Sequence, residues 1–258
     1  MDVKVVKIGG NVVDNPELLK AFVRDFAALS GHKVLVHGGG VLASTLQKAL
    51  GQTPKMIEGR RVTDEDALRV VTMVYAGWCN KSVVALLQAE GCNAIGLSGA
   101  DGDAVRAVRR PAEPIDYGFV GDISASGVNV ELLRSLMENG MVPVLCAITH
   151  DGEGSLLNTN ADTIASSVAS ALAGDDEVEL IYCFEKDGVL ADKDDDSSVI
   201  PVITPSSYAE LKASGAVADG MIPKLDNAFK AIASGVGSVA IKHARNLLSE
   251  LQTNLRAQ

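Results

Sequence analysis

The sequence predicts an α/β fold, a three-layer αβα sandwich around a mainly parallel open sheet. Short apolar runs rich in Val, Leu and Ile alternate with stretches of helical period almost throughout. Strands separated by helices of that length imply parallel pairing with both faces covered. Aliphatic residues carry the core, because the hydrophobic fraction is 47% while aromatics are only 4%. The 25 glycines cluster where strands should end, which marks functional loops rather than low complexity.

Taken in order, residues 3–8 read as a buried strand, 16–29 as a helix and 33–36 as a second strand. A helix over 41–50 follows, then a long or broken helix over 64–90 with apolar residues at every third or fourth place. Residues 93–97 read as a strand. The stretch 103–126, rich in Val, Gly and Pro and without helical period, reads as β-hairpins. Helix 131–139, strand 142–147, helix 162–173 and strand 179–184 continue the alternation, and helices 206–214 and 224–234 precede a strand at 238–242. The polar run at 173–177 predicts a boundary between an N-terminal lobe, 1–174, and a C-terminal lobe, 175–258. The acidic run 192–198 reads as an exposed loop.

At 258 residues the chain can bury a sizeable core. A formal charge of −10 and a pI near 4.9 exclude nucleic acid as the main partner, since a phosphate backbone requires a basic face. A small anionic nucleotide remains compatible, because distant charge is screened beyond roughly 8–10 Å. Cys79, Cys92, Cys146 and Cys183 form no CxxC pair and lie in apolar runs, so they read as core side chains, neither zinc ligands nor a disulfide framework. The start, MDVKVVKIGG, has no signal-peptide pattern, and no uninterrupted apolar run approaches ~18 residues. A soluble, cytoplasmic protein is expected.

Five constellations could carry chemistry. Lys7 and the pair Gly9-Gly10 stand at the end of the first strand, where residues without Cβ let backbone N–H groups approach an anion beside a cation. His37-Gly38-Gly39-Gly40 joins the second strand to a helix, another natural anion site. The same loop reads Gly-Gly-Gly-Val-Leu-Ala, with Glu58 about 20 residues on, which also admits a dinucleotide-binding oxidoreductase. Arg60 and Arg61 precede Val62-Thr63, and either suits bidentate carboxylate recognition. Asn158, Asn160 and Asp162 alternate on one side of an extended segment, more polar groups than a helix cap needs. Lys224, just after Asp219-Gly220-Met221, sits near a helix N-terminus, a poor place for a cation unless an anion is bound nearby. The segment Lys186-Asp187-Gly188 resembles a nucleotide-side loop.

In order along the chain the segments KIGGN, HGGG, RRVT, GLSGADGD, NTNAD, KDGVL and DGMIPK resemble the amino acid kinase family over roughly residues 3–245. RVT followed by N-x-N-A-D is similar to the branch whose acceptor is an acylated glutamate. The resemblance implies an acylglutamate and dimerisation lobe followed by a nucleotide lobe, and transfer of the γ-phosphoryl group of ATP to the γ-carboxylate of N-acetyl-L-glutamate or N-succinyl-L-glutamate. It implies that Lys7 and Lys224 neutralise the phosphoryl group in flight and that Asp162 holds both lysines. Gly9, Gly10, Gly39 and Gly40 would contact phosphoryl oxygens or the γ-carboxylate. Arg61, Asn158 and Asn160 would bind the acylated amino acid. Glu185, Lys186, Asp187, Gly188, Asp219, Gly220 and Met221 would contact the nucleotide, with Mg²⁺ arriving on ATP. A homodimer that arginine does not inhibit is expected, because the chain starts at its first strand. The 184–188 loop and the tail SELQTNLRAQ depart from the family pattern. A non-catalytic acylglutamate or nucleotide sensor is the other reading.

Overall fold

The computed structural model describes residues 1–192, 194–217 and 221–257. β1 (Asp2–Ile8), the single-turn α1 (Gly10–Val13) and α2 (Pro16–Ala28) open the chain, followed by β2 (His32–His37) and α3 (Gly40–Ala49). The two-residue strands β3 (Met56–Ile57) and β4 (Arg60–Arg61) form a hairpin. The long helix is α4 (Glu65–Thr72) continued through a π-helical segment, Met73–Cys79, into α5 (Asn80–Ala89). After β5 (Ala94–Leu97) come the short strands β6 (Val108–Arg109) and β7 (Gly121–Asp122), then α6 (Val130–Glu138) and β8 (Val142–Cys146). The hairpin β9 (Ile148–His150) and β10 (Leu156–Asn158) leads into α7 (Ala161–Leu172). β11 (Glu177–Phe184), β12 (Val202–Ile203), α8 (Pro205–Ser214), α9 (Ile222–Ala233), β13 (Ser238–His243) and β14 (Thr253–Leu255) complete it.

The central sheet has eight strands in the order β12-β14-β13-β11-β1-β2-β8-β5. Every pair from β13 to β5 is parallel, and only β14 runs antiparallel to β13, so the mainly parallel sandwich expected from the sequence is what forms. Strand alternation divides the core. Val3, Val5, Val34, Val36, Leu180 and Tyr182 pack with α7 and α9 on one face, while Val6, Ile8, Leu35 and Ile181 pack with Phe22 and Phe26 of α2 and Leu87 of α5 on the other. Lys7, in phase with Val3 and Val5, is therefore delivered to the α7 side.

One reading needs correction, and two features escaped it. The stretch 103–126 is not a set of hairpins: only β6 and β7 pair, and Pro111 and Pro114 withdraw the donors that longer strands would need. The hairpins β3–β4 and β9–β10 and the edge strands β12 and β14 are too short for periodicity to register. Apolar length is also greater than uninterrupted runs indicate. The continuous helix Glu65–Ala89 spans 25 residues with a mean hydropathy of 1.4 in its most apolar window. Its Val70, Val71, Val74, Val83 and Leu87 are buried in the core, where a core helix belongs.

The tail, despite its departure from the family pattern, makes a strand. Thr253 is fully buried; its hydroxyl accepts from the Val189 N–H at 2.8 Å and donates to the Ile200 carbonyl at 2.7 Å. All four cysteines are buried thiols, and burial pushes those of Cys79, Cys146 and Cys183 up to about 12. Asp192 and residues 194–197 of the acidic loop are exposed, with Asp196 paired to Lys186 at 2.5 Å.

Candidate active site

The C-terminal ends of β1, β2 and β11 meet the N-termini of α1, α3 and α7, and there the sequence's candidates converge. Lys7 reaches from β1 to α7, where its Nζ lies 2.6 Å from Asp162 Oδ1. Both side chains are largely buried, 7% and 13% exposed, so solvent screens the pair weakly. Phe184, the last residue of β11, is approached by two cations: Lys7 Nζ is 5.3 Å and Lys224 Nζ 4.4 Å from its ring centroid. Burial pulls the Lys224 ammonium below the ordinary lysine range, and Asp162 opposes that shift.

The two glycine loops lie back to back. A Cβ on Gly10 would stand 3.2 Å from the Gly40 nitrogen, so both backbones approach the site with no side chain between them. The second loop is held from beneath: a Cβ on Gly39 would meet Tyr75 Cδ1 at 2.9 Å and Cys79 Sγ at 3.0 Å, and both of those residues come from the π-helical segment. His37 fixes the same loop. Asn80 Nδ2 donates to the Val144 carbonyl at 2.9 Å and to His37 Nε2 at 3.1 Å. Nε2 therefore carries no proton, and Nδ1–H donates to the Gly38 carbonyl at 2.8 Å. Full burial pushes the imidazole down to about 4, so it is neutral.

Arg61 is the buried arginine of the pair. Its Nη2 donates to the Gly40 carbonyl at 3.0 Å and to Ser44 Oγ at 2.7 Å, and its Nη1 donates to Gln47 Oε1. α3 thus presets the guanidinium beside the second glycine loop. Asn158 Nδ2 donates to Thr63 Oγ1 at 3.0 Å, tying β10 to the residues after β4. Asn160 is the N-cap of α7: its Oδ1 accepts from the backbone N–H groups of Asp162 and Thr163.

Two adjoining cavities result. One, about 220 Å³, is lined by Lys7, Gly39, Arg61, Asn158 and Asp162. Arg60, the other arginine of the sequence pair, and Arg110 also line it, together with Tyr75 and Gly121, which sequence reading did not single out. Tyr75 was hidden because the π-helical segment shifts the phase of the helix. The second cavity, about 400 Å³, shares Lys7, Gly10, Gly40, Met56, Arg61 and Asp162 and adds Gly9, Phe184, Glu185 and Lys224. Such a pair of linked spaces, with Lys7 common to both and Lys224 on the second, suits two anionic reactants meeting at one point.

The remaining predicted residues scatter. Of Glu185, Lys186, Asp187 and Gly188, only Glu185 lines either cavity. Lys186 pairs with Asp196, Asp187 accepts from Asn246 Nδ2 at 2.8 Å, and Gly188 packs on Thr253. Met221 is the N-cap of α9 and packs on the core. Asp219 and Gly220 lie outside the described residues. Glu58, the acidic residue of the dinucleotide-binding alternative, is at the tip of the β3–β4 hairpin with φ +49°, away from any strand of the central sheet. A dinucleotide fold would place it at a sheet strand's end.

The sequence profile of the amino acid kinase family matches residues 2–243. The chain belongs to the amino acid kinase family. Within that family it is similar to the acetylglutamate kinase of Phocaeicola vulgatus, at 54% identity over 92% of this chain and 91% of the relative. Among solved structures, a protein of Streptococcus mutans UA159 superposes with a TM-score of 0.82 at 30% identity, covering 99% of each chain. The carbamate kinase of Giardia lamblia bound to AMP-PNP superposes with a TM-score of 0.70 at 14% identity, over 99% of this chain and 98% of that one. That last likeness concerns the fold alone, the family's αβα sandwich. Family membership also removes the oxidoreductase alternative.

Proposed function

We propose that this chain transfers the γ-phosphoryl group of ATP to the γ-carboxylate of an N-acylglutamate, N-acetyl-L-glutamate first, giving the acyl phosphate of the second step of arginine biosynthesis. The observation that carries the reading is a pair of adjoining cavities that share Lys7 and Asp162, with Lys224 on the wall of the larger one, in a chain similar to acetylglutamate kinases over more than nine-tenths of its length. The acceptor carboxylate is already ionised near neutral pH, so no general base is required. The task is to bring two anions together and stabilise the charge that spreads over the phosphoryl oxygens.

In this reading the smaller cavity takes the acylglutamate, with Arg61 and Asn158 on its α-carboxylate and acylamino group. Asn160 acts through its cap, fixing the α7 terminus that carries Asp162. The larger cavity takes the nucleotide phosphates, with Gly9 and Gly10 offering backbone N–H groups and Glu185 at its wall. Lys7 and Lys224 straddle the transfer point, and Asp162 holds Lys7 there by an ion pair. Residues 1–174 act as the acylglutamate and dimerisation lobe, and residues 175–258 as the nucleotide lobe.

Among the described residues no three His, Cys, Asp or Glu side chains converge as a metal cage. A Mg²⁺ ion that keeps its waters and arrives on the nucleotide needs none, and it would neutralise charge on the phosphates. We further infer a cytoplasmic homodimer with neither nucleic acid nor membrane as partner, consistent with the net charge of −10.

The test is ADP release with Mg-ATP and three acceptors in parallel: N-acetylglutamate, N-succinylglutamate and free glutamate. Turnover with an acylated acceptor and none with glutamate is the expected result, and it identifies the acyl group. Folded protein that turns over none of them overturns the reading and favours a silent sensor.

A further inference from the structure

We propose that Phe184 is a positioning residue for phosphoryl transfer, its aromatic ring holding the ammonium groups of Lys7 and Lys224 at the transfer point without neutralising them. The inference deepens the functional reading above and rests on it.

Phe184 is 8% exposed and ends β11 on the wall of the larger cavity. Lys7 Nζ and Lys224 Nζ approach its ring to 5.3 Å and 4.4 Å, both within cation–π range. Tyr182, two residues earlier on the same face of the strand, lies parallel to it, with 4° between the planes and 6.3 Å between centroids. The Tyr182 hydroxyl donates to the Asp162 carbonyl at 3.4 Å, so the aromatic pair is also tied to the helix that bears the lysines' counter-charge.

A site that stabilises a multiply charged phosphoryl group faces an electrostatic conflict. Two neighbouring ammonium groups, Lys7 buried and Lys224 half-buried, repel each other and lose hydration. A carboxylate for each would hold them but would cancel the field they must present and repel the incoming oxygens. Among the described residues, Asp162 is the only carboxylate in ion-pair contact with either lysine, and the contact is to Lys7. The charged groups facing Lys224 are Asp162 from α7, Lys7 from β1 and Glu185 just after β11. Burial and Lys7 disfavour its charged form, while Asp162 and Glu185 favour it. An aromatic face resolves the conflict: its quadrupole attracts a cation yet carries no net charge, so the lysine's field stays available to the reacting oxygens. An aliphatic side chain of equal volume would fill the space and provide none of this.

The test replaces Phe184 by mono-, di- and trifluorophenylalanine, which weaken the ring's quadrupole stepwise at nearly constant shape, and by Leu and Tyr. We expect kcat to fall stepwise, about tenfold by the trifluoro ring and about tenfold to thirtyfold in Phe184→Leu, the range of a lost desolvated cation–π contact. KM for the acylglutamate and the melting temperature should stay near wild type across the fluorinated series, and Phe184→Tyr should retain most activity. In parallel, the Lys224 ammonium, followed by NMR of its labelled Cε, should titrate at progressively lower pH along the series. Wild-type protein inactive on every acceptor would overturn the functional reading alone, and the Lys224 titration would still decide whether the ring holds the cation. A flat kcat along the series, or a Lys224 titration that does not move, overturns the proposal and leaves Phe184 as core packing.

Discussion

Replacing Asp162 by Asn removes one charge and almost no volume, and the structure sets the size of the response. The carboxylate lies 2.6 Å from Lys7 Nζ, with side chains 13% and 7% exposed. The variant leaves Lys7 buried without its partner, with Lys224 also in contact with the same Phe184 ring. Breaking one side of a buried pair costs roughly 3–5 kcal/mol, and the retained amide oxygen puts Asn at the lower end, about 3 kcal/mol. In a chain of this size that corresponds to a melting temperature lower by roughly 6–12 °C. Turnover should fall about a hundredfold or more as Lys7 swings out of position, with a smaller change in substrate affinity. The decisive assay is a double-mutant cycle with Lys7→Met, read by calorimetry. If the pair exists, the double variant is less destabilised than the two single losses added, because no orphan charge is left behind. Additive losses, or a D162N protein that melts and turns over like wild type, would refute the ion pair as the feature that organises this site.

Two further outcomes follow from the same geometry. Arg61→Lys keeps the charge but loses the fork that reaches the Gly40 carbonyl, Ser44 and Gln47, so KM for the acylglutamate should rise at least about tenfold with KM for ATP little changed; equal changes in both would count against the assignment of the smaller cavity to the acceptor. His37 titrates near its ordinary 6.5 when unfolded and at about 4 when folded, so between these values the unfolded chain binds more protons. Its contribution to stability is therefore intact above pH 6.5 and is lost as pH falls toward 4, by up to ~3 kcal/mol. Denaturant unfolding of wild type and His37→Gln across that window should show a shallower pH slope in the variant, and parallel slopes would contradict the buried neutral imidazole.

Much of the site was legible in the sequence because its parts are local. Lys7 with Gly9-Gly10, and His37 with its glycines, are strand-end turns whose purpose is carried by residue type alone. Asp162 and Asn158 lie within five residues of each other, and Arg61 directly precedes Val-Thr. The long helices and buried strands were likewise legible, because each repeats its burial pattern over two turns or five residues. The short strands were not: two or three residues carry no period, and β14 owes its place to Thr253 binding Val189 and Ile200, contacts more than fifty positions away.

The sequence by itself determined the parallel αβα architecture and the family of chemistry, since hydrophobic period and ordered motifs need no knowledge of distance. Only the tertiary structure decided which of the two arginines is buried against α3. Only it placed Tyr75 under the glycine loop through a π-helical shift of phase, and only it brought Phe184 within reach of two lysines separated by more than two hundred residues. Each of these is a matter of distance between remote positions, which the packing of helices on a twisted sheet creates and no local pattern encodes.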